Sequence, residues 1–561
     1  MPNIEPLLCM SNENFPAVDT PTPCHLIVLS HGLWGTQTHF SYVEENLINT
    51  LQLKHPNKTF RSYKTKSNEK FKTYDGIDLC GARVAEEIFQ ETARLLQKQN
   101  LQVTQLSYIG YSLGGLIARF AIGVLDYKGF FDSVEAVNFV TFCTPHVGVL
   151  TPGTSISIKA FNGLVPYLLG NSGKQIFLKD SVNIENSNNR VPLLKLMASE
   201  NSVFFQGLKR FKNHALYSNI RSDIRTSWWT SGISYINPFE ILDRNPNVSI
   251  DNNGFIRFSN GSKFELSFLE NYDPILLDVE KPIKFTGLID YDTEKNIKKI
   301  KNKKVEFVEN SNKFHTFFIN KFKCIVMFWN SFIYFPMWVS WFILFNILQV
   351  FTSSFRVNRE SSRLKEHSCV YSLIDQFSNT MSKAVPIQSA STTPLLKPTL
   401  SRTLSEGYSN ELDKLENDLR DQGDFFLDSV FDAVTSSNHP DQSIFNQQAG
   451  GDITLTTSIN KICSIAIDQI GDWETDYRKL GNSKKEAFEY YQILKSFKMN
   501  MSPIQQEIIG NLNKLNWKKY PVYITKTNST HAAAIVRHQD PNFEEGKIVV
   551  EHFCEEAFKV Y

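Results

Sequence analysis

The chain has no excess of charge of either sign: 59 Lys and Arg stand against 58 Asp and Glu, a formal net charge of +1 over 561 residues. No global field favours nucleic acid or another polyanion, so no nucleic-acid partner is expected. Its eight cysteines, at 9, 24, 80, 143, 324, 369, 463 and 554, are scattered without paired spacing. That suits a reducing cytosol better than a disulfide framework, and it supplies no zinc motif. The histidines form no His-Glu-x-x-His pair. Met1 to Thr20 is polar and acidic, with neither the basic stretch nor the apolar core of a secretory signal, so none is expected. The length allows one large catalytic domain with insertions, or two domains.

What is present begins at Ser112, in Gly110-Tyr111-Ser112-Leu113-Gly114. The left flank, Gln105 to Ile109, reads as a short buried strand, and the right flank, Leu116 to Ala121, reads as a helix. A Gly-x-Ser-x-Gly between strand and helix is a nucleophile elbow: the turn leaves no room for side chains at the glycines and holds the serine oxygen clear of the backbone. About 80 residues upstream, the apolar strand Leu26-Ile27-Val28-Leu29 runs into His31-Gly32-Leu33-Trp34-Gly35. A loop of this kind on the strand beside the elbow supplies one backbone N–H of an oxyanion hole, and the residue after the nucleophile supplies the other. Leu33 and Leu113 are the expected donors, with His31 bracing the loop.

Strands are expected at 24–30, 59–64, 104–110 and 136–143, with helices at 80–99 and 114–126. That alternation means parallel βαβ units and a mostly buried sheet. Residues 24–240 read as the core of a domain, preceded by a tail at 1–23. Residues 150–212 are apolar but aperiodic and suit a cap or a plain helical insertion. Asn253-Gly254 and Asn260-Gly261 sit between β-prone runs, a hairpin signal, and begin an insertion at 241–320. Residues 377–451, rich in Ser, Thr, Pro, Asn and Gln, read as a disordered linker. The chain from 452 to 561 completes the core.

A serine hydroxyl is a poor nucleophile until a histidine accepts its proton, and a carboxylate fixes that histidine's tautomer. On a sheet with such an elbow the order is Ser, acid, His, each at the C-terminal end of a strand. His214 to Asn219 reads as a strand running into Asp223; Asp180 and Asp243 are rival acids. A later strand at 520–525 leads through a polar turn to His531, whose followers Ala532 to Ala534 are small enough to pack against the sheet edge. His538 reads as a surface residue. His146 ends the loop of a neighbouring strand but comes too soon after the serine, and is expected to line the site from behind.

These motifs, with Thr73 to Asp78, Phe142-Cys143-Thr144-Pro145-His146-Val147-Gly148 and the tail around His531, resemble the fungal "putative serine esterase/lipase" family. That family includes lipid-droplet phospholipases and monoacylglycerol lipases of yeasts, and Gly-Tyr-Ser-Leu-Gly-Gly leans toward the phospholipase branch. The resemblance covers about 25–230 and 515–555. It implies an α/β-hydrolase fold with a mostly parallel sheet, a cap region and a large insertion before the catalytic His. It also implies a triad of Ser112, Asp223 and His531, lipid ester substrates, and no cofactor. The expected activity is a serine lipase on glycerolipids, phospholipid ahead of monoacylglycerol. Transacylation is the alternative, and a silent membrane tether the contrasting class.

Cys324 to Phe351 is 28 residues without a charge, ten of them Phe, Trp or Tyr. Pro336 splits it, and Lys321, Lys323, Arg356 and Arg359 flank it, which places both ends in the cytosol. Since Ser112 and His531 lie on either side of it, it is expected to enter and leave on one face, as a hairpin around Pro336 or a flat helical pair. Six lysines at 295–304 add attraction to anionic headgroups. Membrane or lipid-droplet monolayer contact through Cys324–Phe351 follows, at a lipid droplet or the cytosolic face of the endoplasmic reticulum.

Overall fold

The computed structural model describes residues 20–286, 335–371 and 453–561, with short interruptions between 154 and 262 and between 466 and 498. Its centre is a six-stranded sheet: β1 (Thr22–Ser30), β2 (Thr59–Lys64), β3 (Leu101–Tyr111), β4 (Glu135–Phe142), β5 (Asn213–Asn219) and β6 (Trp517–Val522). The spatial order is β6-β5-β4-β3-β1-β2, and every neighbouring pair is parallel. All six strands therefore end at one edge, where loops from different parts of the chain can meet.

Both faces of the sheet are covered, which is why its strands read as continuous apolar runs. In β1, Leu26 and Val28 enter one buried cluster while Ile27 and Leu29 enter the other. Helices α1 (Ser41–Lys54) and, from the far end of the chain, Glu544–His552 cover one face. Helices α2 (Ile77–Gln99) and α3 (Leu113–Tyr127) cover the other. Asn100, at φ +50° and ψ 39°, ends α2 in the left-handed region that asparagine tolerates. The result is an α/β-hydrolase fold: a parallel central sheet with flanking helices.

Residues 150–212 contain α4 (Ile156–Leu168), α5 (Gly170–Ile176), two shorter helices at Leu193–Ala198 and Val203–Lys209, and a two-stranded ladder, Val182–Asn183 with Arg190–Val191. Beyond the core, Phe255–Arg257 and Lys263–Glu265 pair antiparallel. Pro282–Thr286 continues that sheet and pairs with Ile453–Ser458, so the two sides of the long insertion meet. The Asn-Gly turns, the lysines at 295–304, the linker at 377–451 and the tail up to residue 19 lie outside the described residues. β6 begins three residues earlier than the expected 520–525. Tyr523 instead donates its N–H to Ile275 O, as residues 275–277 close the sheet edge.

Of the apolar segment, residues 324–334 lie outside the described residues, and with them the first arm of the expected hairpin or helical pair. Pro336 is the second residue of α6 (Phe335–Arg359), where proline fits because the first amides of a helix have no intrahelical acceptor. Residues 335–351 form one helix. No helix among the described residues is long and apolar enough to cross a membrane. Nor is α6 an appendage, because it is bolted to the core. The Asp75 side chain, fully buried, takes Arg83 Nη2 at 2.9 Å, Arg356 Nη2 at 2.9 Å and Ser353 Oγ at 2.6 Å. Arg83 Nε reaches Glu360 at 2.9 Å, Tyr74 Oη bonds Asn346 Oδ1, and the rings of Phe71 and Phe345 stand edge to face at 5.2 Å. Deleting 324–351 would strip these contacts from the core.

Asp75→Ala leaves two arginines without their shared carboxylate. It is expected to cost about 3–5 kcal/mol of stability, read as a lower urea midpoint, whereas a midpoint within error of wild type would show that α6 is held by other means.

Candidate active site

Ser112 stands between β3 and α3 at φ +54°, ψ −128°, a region that a residue with a side chain enters only under constraint. Its N–H donates to Phe142 O on β4 at 2.8 Å, and its carbonyl accepts from Gly115 N at 3.2 Å. A Cβ at Gly110 would lie 2.5 Å from Gly115 Cα, and one at Gly114 only 2.1 Å from Ser30 O. The turn is therefore pressed against both β1 and its own helix, and neither position accepts a side chain. Gly32 is similarly confined: a Cβ there would sit 2.7 Å from Ser112 Cβ. The loop after β1 thus lies directly on Ser112.

The strand ends bring Asp223 and His531 to the same edge. Asp223 follows β5 and His531 follows β6, and His531 Nδ1–H donates to Asp223 Oδ2 at 2.9 Å. Asp223 also accepts from Asn219 Nδ2 at 2.9 Å and from Thr226 Oγ1 and N at 2.9 and 3.1 Å. Burial alone would raise its pKa. The His531 charge and these hydrogen bonds outweigh burial and hold the carboxyl well below the usual carboxylate range. Tyr111 Oη donates to His531 O at 3.1 Å, and the two rings lie 5.0 Å apart. His531 is thereby fixed beside the residue that precedes the serine. Among the described residues no hydrogen bond joins Ser112 Oγ to His531 Nε2, a contact that commonly tightens only with substrate.

The amides of Leu33 and Leu113 have no other acceptor among the described residues, whereas the next amide of the loop, Trp34 N–H, is spent on Thr73 Oγ1 at 3.1 Å. Trp34 itself has φ +56° and packs on the rings of Phe71 and Tyr74. The loop is thus shaped to leave the Leu33 amide for a ligand.

His31 is buried, with Nδ1 3.1 Å from Gly32 O, so it folds over its own loop. His146 is turned elsewhere. It is fully buried, its Nε2 is 3.0 Å from Thr141 Oγ1, its ring is 5.2 Å from that of Trp517, and its carbonyl takes Arg119 Nη1. Trp517 opens β6, so the ring points back along the sheet and lines no solvent-open surface. Burial, with Arg119 and Lys519 nearby, pushes its pKa well down. His538 is half-buried, near His39 and Phe543, rather than on the surface. Asp180 accepts from Leu193 N and is pushed up to about 7 by burial; the contacts it makes do not include His531. Asp243 lies outside the described residues.

Four residues of the site escaped sequence reasoning: Tyr111, Asn219, Thr226 and Cys143. The Asp223 carboxylate accepting from the amide three residues on is a local side-chain-to-backbone contact of the helix-capping kind; the others had no local signal. Cys143 Sγ, an Asp223 oxygen and a His531 nitrogen lie within 4.8 Å of one another, the arrangement of a possible metal ligand set. The chemistry argues otherwise. Burial and the Asp223 charge raise the thiol well above its ordinary value, which keeps it protonated, and His531 Nδ1 is already engaged with Asp223.

Residues 20–233 match the family model described as "Putative serine esterase (DUF676)". That stretch is similar to the proteins the family model describes. It contains Ser112, Asp223 and both candidate oxyanion amides, and stops short of His531. "Putative lipase ROG1" of Saccharomyces cerevisiae is 28% identical over 224 residues, which cover 39% of this chain and 30% of that protein. "Putative lipase YDL109C" of the same yeast is 28% identical over 232 residues, covering 40% and 33%. The chain spans about a third of the length of these curated relatives. Among solved structures, an extracellular α/β-hydrolase from a Paenibacillus species aligns with TM-score 0.17 at 16% identity, over 26% of this chain and 52% of that one, too slight a likeness to carry an argument.

Because the folded Asp223 carboxyl titrates below its unfolded value of about 3.9, the unfolded chain takes up the proton first. The stability this group contributes is present above that pH and lost as pH falls. Wild-type urea midpoints are expected to drop below about pH 4, and Asp223→Asn to show a shallower drop; parallel curves would mean the pair contributes nothing to acid sensitivity.

Proposed function

We propose that this chain is a serine ester hydrolase that cleaves fatty-acyl esters of glycerolipids, phospholipids foremost, at the surface of a lipid droplet or on the cytosolic face of the endoplasmic reticulum membrane. The observation that carries the chemistry is the Asp223–His531 pair set beside a strained Ser112, with two unspent amides facing the same edge. In this reading Ser112 Oγ attacks the acyl carbonyl while His531 Nε2 takes its proton, and Asp223 holds the Nδ1–H and stabilises the imidazolium. The Leu33 and Leu113 amides meet the developing oxyanion. His531 then hands its proton to the leaving alcohol, and a water activated by the same nitrogen releases the fatty acid. The lipid class rests on two supports: the relatives' names, which say lipase, and the apolar run at 324–351.

Ser112→Ala is expected to abolish fluorophosphonate labelling and to lower hydrolysis of a short soluble ester by several orders of magnitude, with His531→Ala close behind. His146→Ala should retain turnover. A variant without Ser112 that still works within about tenfold of wild type would sink the serine mechanism. Incubation with phospholipids, lysophospholipids and mono-, di- and triacylglycerols, followed by product analysis, decides the substrate. Acyl transfer to a second lipid in place of release would favour a transacylase.

A further inference from the structure

α4 and α6 both expose apolar side chains. On α4, Ile156, Lys159, Ala160, Gly163, Leu164 and Tyr167 face solvent, positions that fall on one stripe of a helix, while Ile158, Phe161 and Val165 are buried beneath. Ile156 is 86% exposed and Leu164 64%. On α6 the stripe is Leu344, Ile347, Leu348, Phe351 and Phe355, each more than half exposed. Its opposite side carries the polar residues Asn346, Ser353 and Arg356, which are spent on Tyr74 and Asp75. The two helices pack against each other. α6 therefore puts polar groups against the protein and large apolar groups into water, the reverse of an ordinary surface helix, while α4 carries apolar groups on both its buried and its exposed sides. Contiguous exposed apolar area of this kind marks a contact surface.

From these stripes we infer a lipid-docking face: α4 and α6 lie flat in the boundary between headgroups and acyl chains of a phospholipid surface. Docking needs no turnover; that the docked lipid is also substrate rests on the esterase reading above. Three observations select lipid over a protein partner. Neither helix contains an acidic residue, so nothing on them is repelled by phosphate headgroups. The apolar run continues upstream of α6 to Cys324 without a single charge, and cations appear only at its margins: Lys321 and Lys323 before, Arg356 and Arg359 after. That is the distribution of an interfacial segment whose ends rest among headgroups. Finally, the face adjoins the oxyanion loop through two layers of rings, Phe345 on Phe71 and Phe71 on Trp34. Because Asp75 fixes α6 to the core, docking would hold the catalytic edge at a set angle to the lipid rather than tether it loosely.

The test uses full-length Ser112→Ala protein, so that binding is scored without hydrolysis. Flotation with vesicles of phosphatidylcholine and a minor share of phosphatidylserine is compared with vesicle-free controls. Adding Leu348→Glu with Phe351→Glu is expected to lower vesicle partition at least about tenfold, since two large side chains can no longer leave water. Adding Leu164→Glu with Tyr167→Glu should also lower it. The same substitutions in the Ser112 enzyme should leave soluble-ester hydrolysis and circular dichroism unchanged, because none of these positions touches the site. As a second readout, Phe351→Cys carrying an environment-sensitive dye should shift to the blue on vesicles. Undiminished flotation of either pair, or no dye shift, overturns the face. So does a fall in solution mass from dimer to monomer in the variants without lipid, which would assign the stripes to a second copy of the chain. Vesicle binding by a wild-type protein that no fluorophosphonate labels would defeat the esterase reading and leave the docking face standing.

Discussion

Asp223 and His531 meet across 308 positions of chain, and the parallel ladder between β5 and β6 makes that possible. Trp517 is level with His214, and Val522 with Asn219. Two strands in that register end together, so the loops that follow them leave at the same edge and on the same side. A slip of one residue would turn every side chain of β6 to the other face, and Pro521 and Val522 would no longer meet residues 275–277. Everything the insertion does, including bringing α6 against the core, is compatible with the site only because this pairing is preserved across it.

Strain at the elbow has the same origin. Ser112 is held at positive φ because β1, β3 and β4 lie side by side, with Phe142 accepting its amide and Ser30 crowding Gly114. The backbone conformation that exposes the hydroxyl is maintained by the sheet rather than by the pentapeptide. The loop after β1 is shaped from the other direction. Thr73 takes the Trp34 amide, and Phe71 and Tyr74 pack on its ring, while Asp75 two positions on anchors α6. One short segment, 71–75, thus joins the loop after β1 to the helix with the exposed apolar stripe, and anything that moves α6 acts on a neighbour of Ser112.

The sequence by itself determined the features that depend on neighbours along the chain. β1, β3, β4 and α3 are long apolar runs whose period and flanking glycines state their type, and the elbow between β3 and α3 is a local steric demand. The order serine, acid, histidine narrowed the candidates to a few. Other local signals failed because packing overrode them. Residues 150–212 look aperiodic since α4 carries apolar residues on both its buried and its exposed sides. Only the tertiary structure paired an acid with a histidine. Asn219, Thr226 and His531 converge on Asp223; the His146 ring packs on Trp517, back along the sheet. Those contacts were illegible in one dimension for a physical reason: the residues that make them lie on different strands, and their distances are set by sheet register rather than by spacing in the chain.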